Sequence, residues 1–144
     1  MSNVLARFRG EGESEILKDT RIARGHIMTW LHNEKNLPSK YRMAMIPPIS
    51  NDFREMVMEI RAAERDFPRT PELLAARKED IRRALAAERA LWDDLQAVYD
   101  MRRNNGGCNL DAIQDDLTAL VKVYRALQKW AKNGKIQIDT GKHG

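Results

Sequence analysis

With 144 residues, 42% of them hydrophobic and 32% charged, the chain has apolar material for one core beneath a heavily solvated surface. That balance excludes a disordered chain, and a single cysteine, Cys108, excludes an internal disulfide framework. Three Phe, three Trp, three Tyr and five Pro argue against an all-β sandwich.

No apolar run approaches the ~18–20 residues that span a bilayer. The opening MSNVLARFRGEGESE lacks the apolar stretch of a signal peptide, so a cytoplasmic location is expected. Lys and Arg number 25 against 21 Asp and Glu, a formal charge of +4. An excess this mild says little by itself; where the charges sit matters more.

Punctuation divides the chain into four helix-length pieces. Residues 1–13 are expected to form a flexible N-terminal segment. The first helix is predicted from Ser14, as N-cap, to Asn36, with Ile16, Thr20, Ala23, Ile27, Trp30 and Leu31 recurring at helical spacing. Gly25 inside it costs about 1 kcal/mol relative to Ala, which implies either a close helix contact or a weak point. A short turn of helix at Tyr41–Ile46 should be broken or kinked by Pro47-Pro48. From Ile49, the residues Phe53, Met56, Val57, Ile60 and Ala63 form one stripe ending near Asp66.

Thr70 as N-cap and Pro71 at the first helical position start a third helix, predicted to run to about Arg103. Leu74, Ile81, Leu85, Leu91, Trp92, Leu95, Val98 and Met101 should face inward. Asn104-Asn105-Gly106-Gly107 stops it, and Asn109 should cap the fourth helix. There Leu110, Ile113, Leu117, Leu120, Tyr124, Leu127 and Ala131 make the inner stripe, and Asn133-Gly134 ends it. Residues 135–144 form a tail in which Ile136 and Ile138 alternate, either a short strand or disorder. Residues 14–134 thus read as an all-α, antiparallel up-down-up-down four-helix bundle.

Catalytic signatures are missing. His26 and His32 lie six residues apart, about 240° around a helix, so they cannot share a metal on one face. No paired Glu-x-x-His, phosphate-binding Gly-rich loop or nucleophile elbow occurs, and no metal or cofactor is expected. Glu88, near the inward face of the third helix, reads as a boundary residue snorkelling to water. Cys108 reads as a bystander thiol. The Asp and Glu of the second and third helices read as ordinary i,i+4 pairing. The reading is of a protein that is not an enzyme.

Lys122, Arg125, Lys129 and Lys132 are the positive signal. They fall within about 80° of arc on the fourth helix, away from its apolar stripe. The same helix opens with Asp111, Asp115 and Asp116, so it is acidic at one end and basic at the other. Dipole complementarity accounts for Lys129 and Lys132 but not for a stripe reaching back to Lys122. Arg77-Lys78 and Arg82-Arg83 on the third helix, with Arg21 and Arg24 on the first, would widen a phosphate-binding surface if they shared it. Phosphate binding and a merely solvated face both remain open at this level. Val121, Val123 and Trp130, with Leu91-Trp92 and Val98-Tyr99, exceed the apolar positions a monomeric bundle needs. Either a subunit interface or a thick monomeric core would absorb them.

The segments Trp30-Leu31 and Leu37-Pro38-Ser39-Lys40-Tyr41-Arg42 resemble the hydrophobic-Pro-x-x-x-Arg element that follows helix one in a known four-helix-bundle family. That family comprises the accessory variability determinant (Avd-like) proteins of diversity-generating retroelements and the related ribosomal RNA intervening-sequence proteins. Glu72-Leu73-Leu74, Arg89-x-Leu91 and Leu127-x-x-Trp130 follow in the family's order. The similarity spans roughly Thr20 to Lys132, with departures at Pro47-Pro48, in the Asn-Gly-Gly loop, and in the missing glycine pair before Trp130.

The resemblance implies a non-enzymatic accessory protein that binds nucleic acid, RNA above all, and a reverse transcriptase, and that assembles as a homo-oligomer, a pentamer. Pro38, Arg42 and Trp130 are the positions that match its motifs. The alternative is an adaptor bundle that binds protein partners and no nucleic acid.

Overall fold

A computed structural model describes residues 13–136. The expected flexible start lies outside the described residues apart from Glu13, and so does the alternating tail beyond Ile136. Four α-helices occupy the described chain: α1 Glu15–Leu31, α2 Ser39–Arg65, α3 Pro71–Arg103 and α4 Gln114–Lys132. A 3₁₀ turn, Leu110–Ile113, leads into α4. There is no strand among the described residues. Each helix packs on its neighbour in sequence and α4 closes against α1, which makes an all-α four-helix bundle.

Two starts follow the sequence reading. Ser14 Oγ accepts from the Leu17 N–H at 3.2 Å, and Thr70 Oγ1 accepts from the Leu73 N–H at 3.1 Å. The Ser14 hydroxyl also donates to the Glu64 carboxylate, tying the start of α1 to the end of α2. Helix α3 covers the predicted range, and Gly106 and Gly107, at φ 94° and 71°, supply the left-handed backbone that ends it.

Other expectations are corrected. Helix α1 stops at Leu31, five residues early, because Asn36 turns inward and takes over its end. The Asn36 side chain, 4% exposed, donates to the Trp30 carbonyl at 3.1 Å and accepts from the Asn109 N–H at 3.0 Å. Helix α2 is not broken at Pro47-Pro48 but runs through both. The prolines remove the donors for the carbonyls of Met43 and Ala44, yet all four residues are exposed, so water can satisfy those carbonyls. Asn109 makes no side-chain cap, and α4 begins later, at Gln114. Gly25 is exposed with nothing within 4 Å of a Cβ built on it, which removes the close-contact explanation.

The core is formed by stripes from all four helices, including Ile27 and Leu31, Phe53 and Met56, Ile81 and Leu91, Leu120 and Leu127. Val123 belongs to this core and not to an outer flank, while Ala131 is exposed. The reason lies with Tyr124, which turns toward α3, where its hydroxyl accepts from Arg89 Nη2 at 3.1 Å. Leu91 and Val98 are also fully buried and Trp92 and Trp130 half-buried. A thick core therefore absorbs most of the apolar excess, leaving Tyr99 and Val121 exposed.

Candidate nucleic-acid interface on the fourth helix

Lys122, Arg125, Lys129 and Lys132 are all exposed, as helical spacing opposite Leu120, Val123 and Leu127 requires. Lys122 lies 3.9 Å from the Glu15 carboxylate on α1, a long contact between two largely exposed side chains and worth little. Arg125, Lys129 and Lys132 form no ion pair among the described residues. Lys78 of α3 reaches this end of α4. Its Cε stands 2.8 Å from where a Cβ on Gly134 would be, which lays the aliphatic stem over the helix terminus. Its ammonium there complements the negative end of the α4 dipole and adds a charge beside Lys132.

The remaining predicted cations are paired with carboxylates or turned away from that surface. Arg82 and Arg83 both bind Glu79, at 2.6 Å and 3.2 Å. Those two arginines hold the exposed Glu79 carboxyl below its usual range, the Arg82 hydrogen bond contributing most. Arg83 also turns toward the α2 side, where it lines a shallow groove with Glu55, Met58 and Glu59. Arg21 is engaged by Glu13 at 3.1 Å. It and Arg24 stand about 140° and 160° around α1 from His26, the residue that touches α4, so both lie on the opposite flank. The sequence reading of one surface joining all ten cations is thus reduced to the α4 stripe with Lys78.

Arg89 of α3 escaped the sequence reading as a site residue, and Arg77, read there as a possible phosphate ligand, also faces α4. Arg89 donates to the Tyr124 hydroxyl, and Arg77 stacks over the Trp130 ring at 4.7 Å while donating to the Ala63 carbonyl at 2.6 Å. Burial lowers the Arg77 pKa, with Glu64 and Asp80 opposing the shift. The half-buried Trp130 of the resemblance motif is therefore the ring under a structural arginine. Arg42 is structural too. It donates to the His32 carbonyl at 2.9 Å and the Leu37 carbonyl at 3.1 Å, and pairs with Glu34 at 3.2 Å. Pro38 precedes this clamp as the N-cap of α2.

At the opposite end of the bundle, His26 Nδ1 lies 2.8 Å from the carboxylate of buried Asp116. The pair sits beside a cleft of about 660 Å³ bordered by His26, Thr29, Asn33, Lys35 and Asn109. Ninety residues separate the partners, so spacing gave no sign of it. No group of three or more His, Cys, Asp or Glu able to hold a metal occurs among the described residues. Cys108 is half-buried, and that burial raises its thiol pKa.

Glu88 contradicts the boundary reading. It is fully buried, with only the Trp92 indole N–H donating to it at 3.3 Å, and burial lifts its pKa to about 7. Ordinary helical pairing also fails for Asp52 and Asp80, each 7% exposed and each facing another carboxyl group, Asp94 and Asp66 respectively.

Fold and surface together define an all-helical four-helix bundle whose last helix carries a largely unneutralised cationic face. No family model, curated protein or solved structure matches the chain. Among the described residues, no helix is long and apolar enough to cross a membrane.

Proposed function

We propose that this protein is an antiparallel up-down-up-down bundle that binds the phosphate backbone of nucleic acid, RNA above all, along α4. Helix order is supported by contacts that join the start of one helix to the end of a neighbouring one. Ser14 bonds Glu64, Arg77 bonds the Ala63 carbonyl, and Trp30 Nε1 donates to the Asn109 carbonyl at 2.8 Å. The single observation that carries the binding reading is the exposure of Arg125, Lys129 and Lys132 without an ion pair among the described residues. Cations already neutralised by carboxylates have little to gain from phosphate; free ones release counterions from the polymer.

The resemblance through Pro38, Arg42 and Trp130 extends the proposal to a cytoplasmic, homo-oligomeric, non-enzymatic accessory protein that partners the reverse transcriptase of a diversity-generating retroelement. A protein-only adaptor is the second reading, favoured by Met43, which is 91% exposed on a stretch of α2 that also exposes Pro47 and Pro48.

Filter binding of a single-stranded RNA across a salt series tests the two. Replacing Lys122, Arg125, Lys129 and Lys132 with Ala should leave helicity unchanged. It should weaken binding and reduce the slope of log K against log salt by about 3, at roughly 0.7 per phosphate contact on a single strand. Binding that is unchanged in the quadruple variant eliminates the α4 face. Absence of salt-sensitive retention by the wild type favours the adaptor.

A further inference from the structure

We propose that the α2–α3 pairing is a proton-operated clasp: Asp52, facing Asp94, and Asp80, facing Asp66, each hold one proton between the helices, and losing it loosens α2 from α3. The proposal does not depend on nucleic-acid binding.

The placement of the acids carries it. Asp52, midway along α2, and Asp66, its C-cap, stand fourteen residues apart, and Asp80 and Asp94 stand fourteen apart on the facing helix. Two heptads separate the pairs, about 21 Å along the helices, so each pair spans the same interface at a different level. Asp52 and Asp80 project among core positions, and each keeps one buried oxygen, Oδ2, with no hydrogen-bond partner among the described residues. The group facing each is another carboxyl, which offers no donor unless one of the two is protonated. A single proton turns each repelling pair into a hydrogen bond between helices. Glu88 is a third buried acid on α3, with its Oε1 unpartnered, but it lies outside this register.

Around Asp52 the neighbouring charges favour the proton; around Asp80 they are mixed, and Arg65 also lies 3.9 Å from Asp66. Asp52 is acted on by Asp94 of α3 and by Glu55 of its own helix, both negative. Asp80 meets Asp66 and Glu59 of α2, both negative, opposed by Arg65, and it also faces Arg77 of α3. Glu88 has the Trp92 N–H for a neighbour.

Burial first, then the facing carboxyl, lifts Asp52 from 3.8 to about 8 and Asp80 from 3.8 to about 6. Unfolding restores ordinary acidity, so between about pH 4 and pH 8 the folded chain holds more protons than the unfolded one. Stability conferred by these groups is therefore complete at the acid end of that window. It falls as pH rises and is gone above it.

Thermal melts of the wild type between pH 5.5 and pH 9 should show the melting temperature dropping by several degrees. Asp52→Asn with Asp80→Asn leaves an amide donor for each partner without a titrating proton. The double variant should show a much shallower decline, the remainder coming from Glu88, and should melt above the wild type at pH 9. Asp94→Asn with Asp66→Asn approaches the same pairs from the other side and serves if the first variant does not fold. At pH 9, hydrogen-exchange protection corrected for intrinsic rates should fall in α2 and α3 before α1 and α4. A wild-type melting temperature that is flat or rises toward pH 9 overturns the clasp, as does a slope that neither double substitution makes shallower. Loss of protection that is equal in all four helices does so too.

Discussion

Asn36 joins three parts of the chain through one side-chain amide. Its nitrogen satisfies the Trp30 carbonyl at the end of α1, and its oxygen takes the N–H of Asn109 beyond the glycine turn. Removing that amide leaves the Asn109 N–H without its acceptor and the Trp30 carbonyl with only the Asn33 N–H, at 3.2 Å. Asn36→Ala should therefore destabilise the protein by about 1–3 kcal/mol, read as a lower urea midpoint with an unchanged slope. An effect below a few tenths of a kcal/mol would show that water replaces the amide at no cost. The sequence marks Asn36 as a stopping residue but cannot reveal its second bond, because Asn109 lies far along the chain. Glu88 was misread for a related reason. Its angular position at the stripe edge suits snorkelling, and only the actual packing of the bundle shows that no path to water remains. His26 and Asp116 were each visible singly, and neither residue's spacing discloses the other.

At the scale of the helix, local rules succeeded where the deciding partners are local. Ser14, Thr70 and the Gly106-Gly107 pair act within three or four residues of themselves, and the ends they set are where the sequence places them. The end of α1 and the continuity of α2 depend instead on exposure and on side chains from elsewhere. Pro47 and Pro48 lose their helical hydrogen bonds, but a helix edge in water tolerates that loss better than a buried one. Gly25 offers a clean test of propensity alone. It sits mid-helix, exposed, with space for a methyl group and no positive φ to preserve. Gly25→Ala should stabilise the fold by about 0.5–1 kcal/mol, visible as a melting temperature raised by a few degrees with RNA binding unaltered. A lower melting temperature would mean that the glycine serves a contact outside the described residues.

For the whole molecule, helical periodicity was enough to give the class of fold, because four amphipathic stripes have nowhere to go except against one another. Charge counting was less informative: it assigns a cation to a helix but not to a partner. Ten basic residues look able to form one surface, and folding divides them by what stands opposite. Glu79 occupies Arg82 and Arg83, Glu13 occupies Arg21, and the α4 residues beyond Lys122 have no carboxylate among the described residues. That division makes a differential prediction which net charge cannot imitate, since each pair of substitutions below removes two positive charges. Lys129→Ala with Lys132→Ala should weaken RNA binding at low salt and reduce the salt slope by about 1.4, two contacts at roughly 0.7 each. Arg82→Ala with Arg83→Ala frees Glu79 and removes no phosphate contact, so its salt slope should stay close to that of the wild type. Equal losses in the two variants would mean that the polymer responds to the overall field of the protein and not to the face of α4.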